Sequence, residues 1–223
     1  MLVAPRRAKL KKIANILGTG GQARVIISLL LSLRNYEKIF VFELGKLRKG
    51  EIIMGFKVLS FDEKMKNLDC KREEDFFLAI GCNKQRKKYW DLLNEKKVSI
   101  PNLVSPNSYI DPSANLGKGN VICHQAYIGP CSEVGDNNLI NTSALMEHET
   151  KIGSHCHLAP QSVLSGRSTL GNNCFLGAGA QIIDQLQVAS GTTIGAGACL
   201  IQSIFSENQV YVGVPAKLIK TKK

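Results

Sequence analysis

The sequence predicts a two-part fold: an α/β, Rossmann-like domain over residues 1–105 and a parallel β-helix over residues 106–223. Two observations carry this. In the first half, short apolar runs alternate with helix-patterned segments, and the first junction is the glycine-bearing stretch Gly18-Thr-Gly20-Gly21-Gln22-Ala23. In the second half, an aliphatic residue or Met recurs at every sixth position from Ile110 to Leu200 without a slip.

The first strand is the apolar run Lys12 to Leu17, followed by the glycines and then by RVIISLLLSL at helical spacing. Ile39 to Phe42 reads as a second strand ending at Glu43. Phe76 to Ile80 reads as a third, leading through Gly81-Cys82-Asn83 into the helix KQRKKYWDLLNEKK. Strand, loop and helix in this order imply a parallel, three-stranded sheet covered by helices. Ligands on such sheets bind at the carboxyl ends of strands. Glycines there admit a phosphate or ribose to the backbone, and the next helix offers unpaired N–H groups to an anion. GTGGQA lacks the third glycine of the dinucleotide fingerprint, so a plain tight turn remains an alternative reading of this segment.

The second half divides into hexads from Ile110. All sixteen first positions are aliphatic or Met, and the fifth positions are mostly small, among them Ala126, Ala144, Cys156, Ser162, Cys174, Ala180 and Ala198. This is the hexapeptide repeat of a parallel β-helix. Three hexads make one triangular coil, so residues eighteen apart stack, as Ala126, Ala144, Ser162, Ala180 and Ala198 do. Cys156 and Cys174 occupy fifth positions and read as small interior fillers. About five coils result, each burying its aliphatics only against its neighbours.

Composition narrows the class. No run of eighteen apolar residues occurs, so no membrane span is expected. The basic start is followed by an apolar run too short for a signal peptide, and the chain reads as cytoplasmic. Seven cysteines without CxxC pairing argue against a disulfide framework or a structural zinc site. Asn141-Thr-Ser matches a glycosylation sequon, an accidental match in a cytoplasmic chain. The net charge of +11 gathers at Arg6 to Lys12, Lys84 to Lys88 and Lys217 to Lys223. Aromatics do not interleave with these clusters as nucleic-acid stacking would require. Small acidic ligands such as nucleotides or coenzyme A fit local basic patches, and solvated surface explains most of the lysines.

Three of the four histidines, His148, His155 and His157, fall within the stretch LINTSALMEHETKIGSHCHLAP. They are third, fourth and sixth in their hexads, so all three are expected to point outward. His155-Cys156-His157 supplies only two outward ligands, short of a metal site, so no metal is expected. A surface histidine remains one reading of His148. The other is a general base, since Glu147 and Glu149 flank it and a carboxylate fixes an imidazole's tautomer.

The motifs FLGAGA, TIGAGA and VYVGVPAKLIK, with NTSALMEHETKIGSHCHLAP and ILGTGGQARV, resemble the sialic-acid O-acetyltransferase-like family of bacterial sugar acetyltransferases. The likeness spans about Lys11 to Lys220 and runs nearest to enzymes acting on UDP-linked 4-amino-4,6-dideoxy sugars. It implies a left-handed β-helix, a homotrimer, and acetyl-coenzyme A between adjacent helices. It implies His148 as catalytic base, Glu147 as its supporting acid and Asn141 near the reacting sugar. His157 matches a histidine that contacts acetyl-coenzyme A, while Gly166, Ala178 and Ala196 fall along its pantetheine arm and adenine end. Gly20, Gly21, Gln22 and Glu43 match the nucleotide-sugar site. Gln22 replaces a usual histidine and Leu44 a common second acid, which bears on the choice of sugar nucleotide. Two other classes stay open: an O-acetyltransferase of sialic acid or polysaccharide, and a non-catalytic or metal-dependent β-helix protein.

Overall fold

A computed structural model describes residues 11–48, 50–66 and 73–222. Cys70, Lys223 and the part of the basic cluster from Arg6 to Leu10 lie outside the described residues. The chain divides into two compact units, one of residues 1–80 and 93–100, the other of residues 81–92 and 101–223.

The first unit begins with β1 (Lys11–Leu17), α1 (Gly21–Leu33) and β2 (Tyr36–Glu43). It continues with β3 (Ile52–Ile53), β4 (Phe56–Ser60), α2 (Phe61–Lys66) and β5 (Glu74–Leu78). The sheet order is β3-β4-β2-β1-β5. All pairs are parallel except β3–β4. From Ile13 the central β1 is apolar except for the buried Asn15, and neighbours flank it on both sides: Leu17 lies between Phe42 and Leu78. Helix α1 buries Ala23, Ile26, Ile27 and Leu30, spaced at i, i+3, i+4 and i+7, against the sheet. Arg34 ends it in a left-handed conformation, with its N–H on the Leu30 carbonyl.

The sheet has five strands, not the three expected from the sequence. The two missed strands form a hairpin whose turn residues, Met54 and Gly55, have φ of 48° and 85°. A two-residue strand carries no readable alternation, and Met is an unusual residue at positive φ.

The second unit is a stack of coils with three sheets, one to a face, parallel throughout except for the antiparallel pair of Gln209–Val212 with Lys217–Thr221. Partners lie eighteen residues apart, as in Tyr127 with Leu145, Glu133 with Lys151 and Leu139 with His157. Every sixth residue from Gly119 to Gly197, the fourth of each hexad, has positive φ. These left-handed residues turn the corners. From Ile122 to Leu200 every first position is buried, each stabilising the stack by roughly 1.5–3 kcal/mol. Cys156 and Cys174 are fully buried fifth-position residues, as expected.

Asparagine side chains in the wall bond main-chain N–H groups from coil to coil. Asn120 Oδ1 accepts from the Asn138 N–H at 2.8 Å, and Asn138 Oδ1 from the Cys156 N–H at 2.7 Å. At the same corner, third-position side chains cap the N–H eighteen residues earlier: Asp136 caps Lys118, Ser154 caps Asp136, and Asn172 caps Ser154.

The helix α3 (Asn83–Glu95) opens within this unit. Its buried Arg86 donates to the carbonyls of Asn137, His155 and Cys156. Asn83 donates to the Cys174 carbonyl at 2.8 Å. One arginine thus reaches carbonyls on two successive coils: those of Asn137 and His155 would otherwise be stranded under a helix, while that of Cys156 also accepts from the Leu139 N–H at 2.9 Å.

Candidate active site

His148 is third in its hexad and its side chain is 47% exposed. Nδ1 lies 3.0 Å from Oε2 of Glu149. Glu149 is a fourth-position residue with φ of 56°, and that left-handed turn carries its carboxylate back to the ring. Glu147 takes a different place: its main-chain carbonyl accepts from Ser132 and Thr150, each at 3.0 Å. The acid on the His148 ring is therefore Glu149. With Nδ1 engaged by a carboxylate it carries the proton, which leaves Nε2 as the acceptor.

The face of the His148 ring lies over Gly166, eighteen residues further on. A Cβ at Gly166 would sit 2.6 Å from both Cε1 and Nε2 of His148.

His157 and Asn141 form a second cluster. Asn141 Nδ2 is 3.4 Å from His157 Nε2, and His157 Nδ1 is 3.3 Å from the Gly81 carbonyl. Nδ1–H therefore donates to the carbonyl and Nε2 accepts. The ring meets Phe175 edge-on at 5.1 Å between centroids. Burial, assisted by the nearby Arg86 charge, pushes its pKa down to about 4, against the upward pull of the Gly81 carbonyl. His157 is a neutral, fixed acceptor at physiological pH.

The exposed Ala178 and Ala196 are third-position residues on the corner that follows the His157 strand. His148, Glu149 and Gly166 lie on the next corner of the coil, beyond the strand Val163–Leu164. The described residues thus bring together His148, Glu149 and Gly166, and separately Asn141 and His157. They do not join the two clusters within one chain.

His155 departs from expectation. It leaves the coil outward but is 9% exposed, because Trp90 of α3 covers it with ring centroids 6.3 Å apart. Its Nδ1 meets Asn137 Nδ2 at 2.8 Å. Burial first, then the Lys87 charge, lowers its pKa. A hexad position indicates outward but does not reveal what packs on the outside. Among the described residues no group of three or more His, Cys, Asp or Glu could hold a metal. His124 instead bonds Ser105 at 2.7 Å.

Cys156, between the histidines, is buried and donates to the Gly171 carbonyl at 3.0 Å. Burial, with the neighbouring Cys174, raises its pKa well above the ordinary thiol value. It is not a nucleophile in this state.

In the first unit, Gly18 has φ of +114°, and a Cβ there would lie 2.7 Å from the Ala79 carbonyl oxygen. Gly20 and Gly21 face open space, with nothing within 4 Å of where a Cβ would be. They open α1, whose first turn holds no acid and whose N-cap makes no side-chain bond. Gln22 Nε2 is buried and finds no acceptor among the described residues. Glu43 ends β2; its Oε1 accepts from the Leu44 and Gly45 N–H groups at 2.8 and 2.9 Å, and its Oε2 from Thr19. Burial raises its pKa, but Thr19, the two N–H groups and Arg48 together outweigh it and hold the carboxylate below its ordinary range. An ionised acceptor and the N-terminus of a helix stand at the carboxyl ends of neighbouring strands, where α/β sheets take nucleotides.

Residues 13–93 match the PglD N-terminal domain family. No curated protein matches the chain. Among solved structures, a histidine-to-alanine mutant of GDP-perosamine N-acetyltransferase from Caulobacter crescentus, in complex with CoA and GDP-perosamine, is 29% identical. It covers 93% of this chain and 96% of its own, with a TM-score of 0.86. The acetyltransferase domain of PglB from Neisseria gonorrhoeae, in complex with acetyl coenzyme A, is 28% identical. It covers 94% of this chain and 100% of its own, with a TM-score of 0.87. The chain is an acetyltransferase, similar in its domains and fold to these hexapeptide-repeat enzymes. WeeI from Acinetobacter baumannii, 21% identical over 93% of this chain and 100% of its own, shares the fold with a TM-score of 0.83. The Rossmann-like domain followed by a left-handed β-helix, expected from the sequence, is the architecture common to these neighbours. No helix among the described residues is long and apolar enough to cross a membrane.

Proposed function

We propose that the chain transfers the acetyl group of acetyl-coenzyme A to the 4-amino group of a nucleotide-linked amino-dideoxy sugar, with UDP as the nucleotide, for bacterial surface glycan or glycoprotein synthesis. The observation that carries this reading is the exposed His148 with its Nδ1 on Glu149. The neighbours crystallised with CoA, acetyl coenzyme A and GDP-perosamine support acetyl transfer to a nucleotide-linked sugar.

The chemistry follows from the residues. An uncharged amine attacks the thioester carbonyl. His148 Nε2 takes the proton that the nitrogen loses as the C–N bond forms. Glu149 stabilises the imidazolium through Nδ1. The C–S bond then breaks, and the proton passes from His148 to the departing thiolate, giving the amide and free coenzyme A. Transfer is direct, because Cys156 points into the coil. Glu147 and Asn141 lie on the approach to the base and His157 on that to the donor, with Gly166, Ala178 and Ala196 along the donor's path. Gly20, Gly21, Gln22 and Glu43 hold the nucleotide, residues 1–105 being the nucleotide-sugar domain and 106–223 the acetyl-transfer domain.

The protein acts as a cytoplasmic homotrimer. What supports this is the separation of the two clusters onto successive corners of one coil: corners of adjacent helices restore the set across a subunit boundary. A reaction of the purified protein with acetyl-coenzyme A and UDP- or GDP-amino sugars, read by thiol release and product mass, tests the reading. Acetyl on nitrogen supports it; acetyl on a sugar hydroxyl places the chain with the O-acetyltransferases.

A further inference from the structure

We propose that Gly166 is a positioning residue for the base: the missing side chain is what lets the His148 ring lie down on the coil. This rests on the reading of His148 as the base.

The geometry is specific. The Cβ of any other residue at 166 would stand 2.6 Å from Cε1 and Nε2 and 3.2 Å from Nδ1. Contact between carbons begins near ~3.5 Å, so an alanine and this ring cannot both keep their places. The ring is also confined from the coil below. A Cβ at Gly129 would lie 3.0 Å from the His148 backbone nitrogen, so the main chain carrying the ring sits close over Gly129. His148 is therefore seated between two glycines, one under its backbone and one against its ring face.

Comparison with the neighbouring corner shows what the glycine replaces. There the third position eighteen residues on always carries a capping side chain: Ser154 accepts from the Asp136 N–H at 2.9 Å and Asn172 from the Ser154 N–H at 2.7 Å. Gly166 holds the equivalent place for His148 and has nothing to offer its N–H. The catalytic corner gives up a coil-to-coil staple, and the vacated volume is filled by the imidazole. With Nδ1 tied to Glu149 at 3.0 Å and one face against Gly166, Nε2 is held in one direction.

The test is Gly166→Ala, alone and with His148→Ala, measured by steady-state kinetics and by 1H–13C correlation of [13Cε1]-histidine-labelled protein, which has only four histidine signals to assign. We expect kcat to fall about 10²-fold, the scale of a misplaced catalytic group, with KM for acetyl-coenzyme A within about twofold. We expect the His148 Cε1–H signal to move and the second substitution to cost nothing further in His148→Ala. A rise in KM with kcat intact would make Gly166 a floor for the donor and overturn the proposal, as would an unmoved His148 signal. If Gly166→Ala does not fold, the double variant decides: recovery of folding once the ring is gone supports the proposal, and continued failure overturns it. Were the wild-type protein to show no acetyl transfer, the functional reading would fall, and the His148 signal alone would still decide whether Gly166 seats the ring.

Discussion

His148 and Glu149 are adjacent in sequence and bonded through their side chains, Nδ1 to Oε2 at 3.0 Å. Neighbours on a strand diverge. These two converge because Glu149 occupies the left-handed corner position, φ 56°. Glu149→Gln should lower kcat about 10-fold or more through loss of imidazolium stabilisation, with little change in KM. Glu147→Gln leaves that bond intact and should have the smaller effect on kcat. Parallel kinetics of the two variants check this; a larger kcat loss for Glu147→Gln would reassign the acid.

His157 predicts an acid limb in stability. Its pKa is about 4 in the fold and 6.5 ordinarily, so between these values the unfolded chain binds the extra proton. Its contribution is complete above pH 6.5 and is lost as pH falls toward 4, at about 1.4 kcal/mol per unit and about 3 kcal/mol in all. Arg86, the charge nearest the ring, stays cationic throughout this range, with a pKa lowered only to about 10. Denaturant unfolding at pH 7, 5.5 and 4.5 should show the decline in wild type and a shallower one in His157→Gln. Equal slopes would remove His157 as its source.

Cys156→Ser tests direct transfer and the buried sulfur together. A hydroxyl stranded in an apolar interior costs about 1–3 kcal/mol. Here it would find the Gly171 carbonyl, which already accepts from Sγ at 3.0 Å, and the hydroxyl of Ser132, another fifth-position residue, makes the same kind of bond to the Glu147 carbonyl at 3.0 Å. We expect a loss near the lower end, about 1 kcal/mol, with activity retained and sequential kinetics. Ping-pong kinetics, or an acetyl adduct by mass spectrometry after incubation with acetyl-coenzyme A alone, would contradict direct transfer.

Arg86→Met removes the donor shared by the Asn137, His155 and Cys156 carbonyls. The Cys156 carbonyl keeps the Leu139 N–H, but buried acceptors left unpaired at Asn137 and His155 cost about 1–3 kcal/mol each before relaxation, so the variant should melt several degrees lower. An unchanged Tm would mean that water serves these carbonyls equally well.

The β-helix was legible because its rule is local: an aliphatic every sixth residue fixes interior, strand and corner, and it placed Cys156 and Cys174 inside and His148 outside. The convergence of Glu149 on His148 was present in the same rule, since fourth positions are corners, but favouring Glu147 required no knowledge of φ. The distance of eighteen from His148 to Gly166 was equally countable; that a ring would fill the vacancy was not. The burial of the outward His155 was not legible because Trp90 lies sixty-five residues away in sequence, and no periodicity links α3 to a corner of the coil. Of the two extra strands, β3 was hidden by its brevity, and the hairpin that joins it to β4 by Met54 at positive φ.

The central claim is that His148 is the base for acetyl transfer to a nucleotide-linked amino sugar. It is tested most directly by comparing wild-type and His148→Ala protein with acetyl-coenzyme A and a panel of UDP- and GDP-4-amino sugars, following thiol release and product mass. The account predicts N-acetylated sugar nucleotide from wild type and a kcat lowered about 10²–10⁴-fold in a variant that keeps its fold and oligomeric state. Near-normal turnover in correctly folded His148→Ala would contradict it.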